Sequence, residues 1–113
     1  MIVILFRSRL TAQAGADYAA MDAELRELIR ENPGFVDVKS YRAEDGERLT
    51  VVRFRDEATL QQWRELERHR YAQRTGRERW YEYYDMEVAT VTRESHFRKP
   101  EPAFTADAAQ IKS

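Results

Sequence analysis

The order of apolar and polar positions along the chain predicts four strands and two helices. Runs rich in β-branched and aromatic residues, the composition that favours strands, occur at Ile2–Phe6, Phe35–Arg42, Leu49–Arg55 and Met86–Arg93. Apolar residues recur at helical spacing after the first run, at Tyr18, Met21, Leu25, Leu28 and Ile29. A second stripe, with Leu60, Trp63 and Leu66 facing inward, predicts a second helix, continuous or broken, that runs through Tyr71 to Gly76.

Three short signals mark the boundaries of these elements. Asn32-Pro33-Gly34 ends the first helix, because proline cannot continue a helix and glycine accepts unusual backbone angles. Glu44–Glu47 contains an Asp-Gly step, a strong signal for a hairpin turn between two strands. Asp56 is a suitable N-cap for the second helix. The predicted order is therefore βαββαβ.

This order is that of an α+β ferredoxin-like domain, in which two helices cover one face of a four-stranded antiparallel sheet. The strands carry apolar residues on both faces, however. In the first strand Ile2, Ile4 and Phe6 lie on one face, and Val3 and Leu5 lie on the other. A second apolar face left in water would exceed the patch size typical of monomers. We therefore expect a homodimer in which two sheets cover each other.

Composition narrows the classes of function. The chain has 113 residues and no cysteine, which excludes disulfides and thiolate chemistry. Its 19 basic and 20 acidic residues give a net charge of −1, so no basic excess favours nucleic acid. No apolar run approaches the roughly 20 residues of a membrane span, and no signal-like segment follows Met1. We expect a cytoplasmic protein without membrane or nucleic-acid partners, with one domain over residues 1–97 and a C-terminal arm or disordered tail over 98–113.

Candidate chemistry is concentrated in the second half of the chain. Histidine is the side chain that titrates near neutral pH without perturbation, which makes His69 a candidate base. Trp63 and the aromatic segment Trp80–Tyr84 could stack on a planar ring. Arg7 stands in a strand with little room for an unpaired charge, which indicates either a pocket role or a salt bridge to Asp37 or Asp85.

The arrangement of these residues resembles the antibiotic biosynthesis monooxygenase family over roughly residues 1–97. The resemblance rests on the Asn32–Phe35 turn, on Trp63 with His69 six residues later, and on the Gly76–Tyr81 segment that leads into the last strand. It implies a dimeric α+β barrel with one pocket per subunit, between sheet and helices. Two activities are known in the family: cofactor-independent oxygenation of polyphenolic compounds, and oxidative breakdown of haem.

The haem-degrading branch of the family implies an asparagine on the first strand and an axial histidine about ten residues after the tryptophan. Trp63 matches, but Ser8 stands at the asparagine position and Gln73 at the histidine position. Glutamine is a poor ligand of haem iron. On an ideal helix His69 would point roughly 120° away from Trp63, unless the helix breaks between them. Haem is therefore the alternative, and the first expectation is an enzyme without a cofactor.

The leading hypothesis is a monooxygenase that combines an electron-rich aromatic substrate with molecular oxygen. An arginine (Arg7, Arg77 or Arg79) would stabilise the anion that forms. The expected catalytic residues are Trp63, His69 and Arg7, and no metal site is expected. The expected substrate-binding residues are Ser8, Arg77, Trp80, Tyr81 and Tyr84.

Simpler interpretations of the same residues remain open. Trp63 is equally typical of a packed core, and His69 could lie on a solvated helix face. The Tyr81–Tyr84 cluster is also typical of strand and dimer packing. His96, beside the tail, is expected at the surface. Together these interpretations describe a non-catalytic dimer that binds a small molecule.

Overall fold

A computed structural model of the protein describes residues 1–101 and confirms the α+β ferredoxin-like fold. Its four strands form one antiparallel sheet in the order β2-β3-β1-β4. A single π-helical turn, Gly76–Trp80, leads into the last strand. The elements are β1 (Ile2–Leu10), α1 (Ala16–Ile29), β2 (Phe35–Arg42), β3 (Arg48–Phe54), α2 (Glu57–Glu65), α3 (Glu67–Thr75) and β4 (Tyr81–Thr90).

The second helical region is broken at Leu66, between α2 and α3. Leu66 has an extended backbone (φ −63°, ψ 136°), so it caps both helices without belonging to either. Of the three residues expected to face inward, Leu60 and Trp63 are buried, at 5% and 7% exposure. The expectation for Leu66 is wrong, since 41% of it is exposed. The break removes Leu66 from the helical face that its spacing predicted.

The first and last strands differ in length from the sequence prediction. β1 continues past Phe6 to Leu10, and β4 begins at Tyr81 and ends at Thr90. The two strands pair with each other, and the ladder of hydrogen bonds continues through polar residues such as Arg7 opposite Asp85. Backbone pairing therefore extends the end of β1 and the start of β4 beyond the limits that their apolar pattern predicts, whereas β4 ends before the predicted Arg93.

The C-terminal part of the predicted arm lies outside the described residues. Of residues 98–113, the structure describes 98–101, which have no regular secondary structure. The chain leaves the sheet just after β4, where the backbone N–H of Val91 donates to the carbonyl of Met1 at 3.0 Å. Phe97 lies beyond this point and is 80% exposed.

The hydrophobic core lies at one end of the inner sheet face, between β1, β3 and the helices. Phe54, from the end of β3, is the most deeply buried large side chain. Its cluster is completed by side chains of β1, α1 and α2: Ile2, Ile4, Ile29, Leu60 and Trp63. Burial of such side chains contributes about 1.5–3 kcal/mol each. The core therefore fixes the helices to this end of the sheet.

The outer sheet face has no helix over it. Val3 and Leu5 alternate with the inward-facing residues of β1 and are only half-buried, as are Leu49 and Val51 on β3. Ion pairs flank these apolar residues, between Arg7 and Asp85 at 3.7 Å and between Arg53 and Asp37 at 3.6 Å. The apolar character of both sheet faces is thus present in the folded chain.

Within residues 1–101, no helix has the length and apolar character that crossing a bilayer requires.

The turn after α1 connects the two halves of the fold. The Asn32 side chain accepts a hydrogen bond from the backbone N–H of Gly34 at 2.7 Å and donates one to the carbonyl of Thr59 at 2.8 Å. The carbonyl of Gly34 in turn accepts from the N–H of Arg55 at 2.7 Å. Gly34 is buried, and a methyl group at its Cα would overlap the Thr59 side chain.

Replacing Gly34 with alanine is therefore expected to destabilise the fold by about 1–3 kcal/mol, the range for overpacked sites. Chemical denaturation followed by circular dichroism measures the change. Gly15→Ala is the matched control, because a methyl group there would have no neighbour within 4 Å. Equal midpoints for the two variants would show that the turn is not tightly packed.

Candidate active site

A cavity of about 350 Å³ lies between the inner sheet face and the helices. Alternate residues of β1 and β3 form its floor, and α1, α2 and α3 form its walls. The core cluster closes one end, where Ile4 and Trp63 reach the cavity. The other end is bordered by Ser8 and Tyr84. A largely preformed cavity with aromatic walls and a few polar groups is the usual form of a small-molecule site.

The helix break at Leu66 brings His69 against Trp63. Their ring centroids are 5.1 Å apart with an interplanar angle of 54°, and both rings line the cavity. On one continuous helix the two side chains would diverge by roughly 120°. Because Leu66 leaves the helical path, α3 starts in a new direction and turns His69 inward. The pairing of Trp63 and His69 thus depends on a single non-helical residue.

The surroundings of His69 favour its neutral form. Burial lowers the pKa of the imidazole below its usual 6.5, and the nearby positive charge of Arg64 lowers it further. The backbone carbonyl of Arg64 opposes this shift. Nδ1 is enclosed and has no hydrogen-bond partner among the described residues. A neutral imidazole beside a cavity can accept a proton, which is the property of a general base.

Three aromatic rings form a wall at the opposite end from the core. Phe6 stacks on Tyr84 with ring centroids 5.1 Å apart and meets Tyr81 edge-on at 5.6 Å. The two tyrosine rings are 5.8 Å apart. Such edge-on and offset contacts are the favoured geometry of aromatic pairs. The wall offers flat surfaces to a planar ligand.

A β-bulge places both of these tyrosines on the cavity side. In a regular strand Tyr81 and Tyr84 would face opposite ways, because side chains alternate. Leu10 pairs with Tyr81, but Arg9 pairs with Tyr83, so that Glu82 is an additional residue in β4. One additional residue reverses the alternation. Both rings therefore border the cavity.

Tyr81 does not supply the base. Burial raises the pKa of its phenol well above the usual 10.0, and the neighbouring Tyr18 adds to the effect. The hydroxyl consequently stays protonated at neutral pH and can act only as a hydrogen-bonding group. Among the described cavity-lining residues, His69 remains the group suited to accept a proton near pH 7.

Ser8 and Arg77, two expected substrate-binding residues, border the same end of the cavity. Ser8 is buried, at 4% exposure, and lies between Arg48 of β3 and Tyr84 of β4 in the sheet register. Arg77 comes from the π-helical turn, and its Nε donates to the Tyr84 hydroxyl at 2.8 Å. The structure thus brings Ser8, Arg77, Tyr81 and Tyr84 together at one site.

Arg7 and Trp80 lie outside the cavity. Arg7 occupies an odd position of β1, so its side chain is on the outer sheet face, where it pairs with Asp85. Trp80 is buried at 3% exposure, and its Nε1 donates to the Asp17 carboxylate at 3.2 Å. Its ring meets Tyr18 edge-on at 5.5 Å. Trp80 therefore joins α1 to the start of β4 rather than facing a ligand.

Sequence reasoning missed a group of charged residues that line the cavity. Arg26 and Asp22 come from α1, Arg64 from α2 and Arg48 from β3. The alternation of β3 predicts that Arg48 faces inward. Side chains of a strand face the same side at every second residue, and Arg48 is an even number of residues from the inward-facing Val52 and Phe54. Arg48 went unnoticed because an arginine beside a hairpin turn is more typical of a solvated surface.

Comparison with known proteins identifies the family of the chain. Residues 1–75 match the family model described as antibiotic biosynthesis monooxygenase. The chain belongs to this family. The resemblance stated from the sequence is thereby confirmed. This family member is also 30% identical over 92 residues to the uncharacterized protein YqjZ of Bacillus subtilis, and the match covers 81% of each chain.

Solved structures share the fold of this monooxygenase-family domain. A putative antibiotic biosynthesis monooxygenase from Deinococcus radiodurans superposes with a TM-score of 0.74 at 9% identity, covering 88% of this chain and 100% of that one. Rv0793 from Mycobacterium tuberculosis gives 0.72 at 17% identity, with coverage of 84% and 98%. SnoaB, a cofactor-independent oxygenase from Streptomyces nogalater, gives 0.68 at 13% identity, with coverage of 82% and 94%. At these identities the likeness is one of fold.

The lowered pKa of His69 predicts a specific dependence of stability on pH. Because the folded state disfavours the charged imidazole, the stabilisation is present above the unfolded pKa of 6.5 and is lost as the pH falls through the folded pKa. We expect the melting temperature of the wild type to fall more between about pH 7.5 and pH 5.5 than that of His69→Gln. Differential scanning calorimetry measures both.

The control for this experiment is His96→Gln, since the chain has two histidines and His96 is exposed. This variant should follow the wild type. The carboxylate of Asp17, whose pKa is lowered mainly by the hydrogen bond from Trp80, titrates in a lower pH range and affects all variants alike. Parallel curves for the wild type and His69→Gln would contradict the assigned environment of the imidazole.

Proposed function

We propose that the protein is a cofactor-independent monooxygenase that acts on an electron-rich aromatic small molecule. The observation that carries this proposal is the position of His69, a half-buried imidazole with a lowered pKa that borders an aromatic cavity next to Trp63. Membership of the antibiotic biosynthesis monooxygenase family supports oxygenase chemistry. The structural likeness to SnoaB, named a cofactor-independent oxygenase, agrees with it.

The chemistry requires a substrate that gives up an electron easily. Ground-state oxygen is a triplet and reacts slowly with closed-shell molecules, whereas a phenolic anthrone becomes a good electron donor once it is deprotonated. His69 would remove the proton, and Trp63 with the Phe6–Tyr84 wall would hold the ring in place. Exclusion of water by these aromatic groups would strengthen the electrostatic interactions within the site.

The reaction balances without a cofactor. His69 takes a proton from the ring methylene, and the resulting anion transfers one electron to oxygen, which gives a substrate radical and superoxide. These combine to form a C–O bond, and the peroxide takes up the proton held by His69. Loss of the second methylene hydrogen and cleavage of the O–O bond then leave a carbonyl group and one molecule of water. Overall, a CH₂ group and O₂ become C=O and H₂O.

Arg77 takes the role of anion-stabilising residue in this proposal. It borders the cavity and donates a hydrogen bond to the Tyr84 hydroxyl. This bond polarises the hydroxyl and so makes it a better hydrogen-bond donor to an anionic substrate oxygen. Of the other two arginines expected for this role, Arg7 lies on the outer sheet face, paired with Asp85, and Arg79 pairs with Asp17. The buried Ser8 hydroxyl is a further donor at the same end of the cavity.

The cavity lining does not supply the ligand set that the family resemblance implies for haem. Gln73 lines the cavity at the position where an axial histidine is implied, and Ser8 stands at the asparagine position. Within residues 1–101, no three His, Asp or Glu side chains are grouped to hold a metal ion. No step of the proposed reaction passes through haem.

A test of this proposal uses a phenolic anthrone and air-saturated buffer, with quinone formation followed by absorbance. The wild type should raise the rate well above buffer. His69→Gln should reduce kcat by about 10²–10⁴-fold, the usual contribution of a general base. His96→Gln is the matched control and should retain wild-type kcat.

Two outcomes would contradict the proposal in different ways. Full activity of His69→Gln would remove the assigned base. Binding of the anthrone without turnover by the wild type would instead favour a non-catalytic small-molecule-binding protein. Addition of haemin distinguishes the remaining alternative, because a Soret shift at stoichiometric haemin followed by its loss with reductant and oxygen would favour haem breakdown.

We also propose that the protein is a homodimer formed through the outer sheet face. The half-buried apolar residues on this face, Val3, Leu5, Leu49 and Val51, have no covering helix. The ion pairs around them, such as Arg7 with Asp85, would form a polar rim, as is usual for interfaces. A second copy of the same sheet would bury this patch and shield it from other partners.

Sedimentation velocity at micromolar concentration tests the dimer. The wild type should sediment as a dimer, and Leu5→Asp should shift it to monomer, because an unpaired carboxylate would be buried at the interface. Tyr71→Asp is the control: it adds the same charge to an exposed aromatic residue on α3 and should leave the dimer intact. A well-folded wild-type monomer would overturn the proposal.

A further inference from the structure

We infer that the natural ligand of this cavity is an aromatic acid whose carboxylate binds beside Arg48, while its ring system lies towards Trp63 and His69. The inference deepens the proposed function, on which the placement of the reacting ring rests. Its basis is the distribution of charge along the cavity.

The lining of the cavity is strongly cationic. Four arginines border it, and Asp22 is the acidic residue among the lining side chains in the described part of the chain. The Asp22 carboxylate already accepts a hydrogen bond from Nε of Arg26 at 2.9 Å. Within residues 1–101, no carboxylate lies within ion-pair distance of the other three, which are Arg48, Arg64 and Arg77. A cavity bordered by three arginines that have no ion-pair partner is suited to an anion.

Among these three arginines, Arg48 gives the strongest support for an anion site, because it is the least exposed to solvent. It is half-buried, whereas Arg64 and Arg77 are exposed. Its guanidinium carbon lies 5.8 Å from the ring centroid of Tyr18. Partial burial of a charge without a counter-ion is unfavourable, and a bound carboxylate would offset that cost. The planar guanidinium also matches a carboxylate with two parallel hydrogen bonds.

The neighbours of Arg48 form a band of donors across the cavity floor. In the sheet register Arg48 lies opposite Ser8, and Ser8 lies opposite Tyr84. Arg77 donates to the hydroxyl of Tyr84 and completes the band. Guanidinium and hydroxyl groups from three strands and the π-helical turn thus converge on one end of the cavity. A single carboxylate there would meet both charge and hydrogen-bond donors.

The other end of the cavity is apolar and carries the proposed base. Ile4 and Val52 form the floor beside Trp63, and His69 packs on Trp63. Ser8 is four positions after Ile4 in β1, which corresponds to about 13 Å along the strand. This separation accommodates a fused aromatic system with an acid group at its far end. The carboxylate would fix which ring carbon faces His69.

A purely structural role for Arg48 makes a different prediction. Stacking of the guanidinium on Tyr18 is a cation–π contact that stabilises many folds without a ligand. If that were its function, an acidic ligand and a neutral ligand of the same shape would bind equally well. The comparison of two such ligands therefore separates the two interpretations.

The experiment measures the Kd of anthraquinone-2-carboxylate and of its primary amide by isothermal titration calorimetry near neutral pH. The two probes differ in charge but hardly in size, and neither contains the methylene group that the oxygenase reaction needs. We expect the carboxylate to bind at least about tenfold more tightly, the effect of one charge-assisted hydrogen-bonded pair. The preference should weaken as salt is added.

Two variants and one control identify the residues that cause the preference for the carboxylate over the amide. Arg48→Gln should bring the two Kd values within about threefold of each other, because the principal counter-ion is gone. Arg77→Gln should reduce the preference in part, and its exposed position leaves the fold undisturbed. Arg74→Gln is the matched control: Arg74 is an exposed arginine on α3 that does not line the cavity, so the full preference should remain.

The outcomes separate this inference from the proposed function. Equal binding of acid and amide, or no binding of either, overturns the inference, whatever the protein does to an anthrone. A preference that survives in both Arg48→Gln and Arg77→Gln overturns it as well. A preference that disappears in Arg48→Gln supports it even if no quinone is ever formed, in which case the oxygenase proposal alone fails.

Discussion

The site depends on how unevenly the helices cover the inner face of the sheet. Packing of Leu60, Trp63 and Ile29 on Ile2 and Phe54 closes one end of that face and fixes the helices there. Towards the hairpin end the helices leave room, and the cavity occupies it. The same contact therefore stabilises the domain and sets the position of the cavity. A tryptophan that belongs to the core and also borders a ligand site serves both purposes, so the core and catalytic interpretations of Trp63 are compatible.

The fold was predictable because its elements follow simple periods. Alternation in the strands, the helical spacing of Tyr18 to Ile29 and the Asp-Gly turn all indicate the same topology, and each is a local signal. The ends of β1 and β4 were not predictable in this way. Polar residues such as Arg9 and Asp85 continue a ladder whose partner strand is far away in sequence, so only the assembled sheet shows where pairing stops.

The candidate site was predictable in its residue types but only partly in its geometry. Trp63, His69, Tyr81 and Tyr84 were identified from their chemistry and Ser8 from the family resemblance, and all five line one cavity. Two irregularities decided the rest: the extended residue Leu66, which turns His69 towards Trp63, and the bulge, which turns Tyr81 towards Tyr84. Neither has a strong signature in one sequence. The alternation of side chains along the strands, by contrast, was sufficient to predict that Arg7 faces away from the cavity and that Arg48 faces into it.

The additional residue in β4 has a consequence for how such a cavity can change. Two phenol rings share one wall because the backbone is one residue longer there, not because of any particular side chain. Loss of that residue would restore the regular alternation of β4, which would turn one ring outward and open space for a broader ligand. Changes in chain length at the strand end can therefore alter which molecules fit, without any exchange of the amino acids that perform the chemistry.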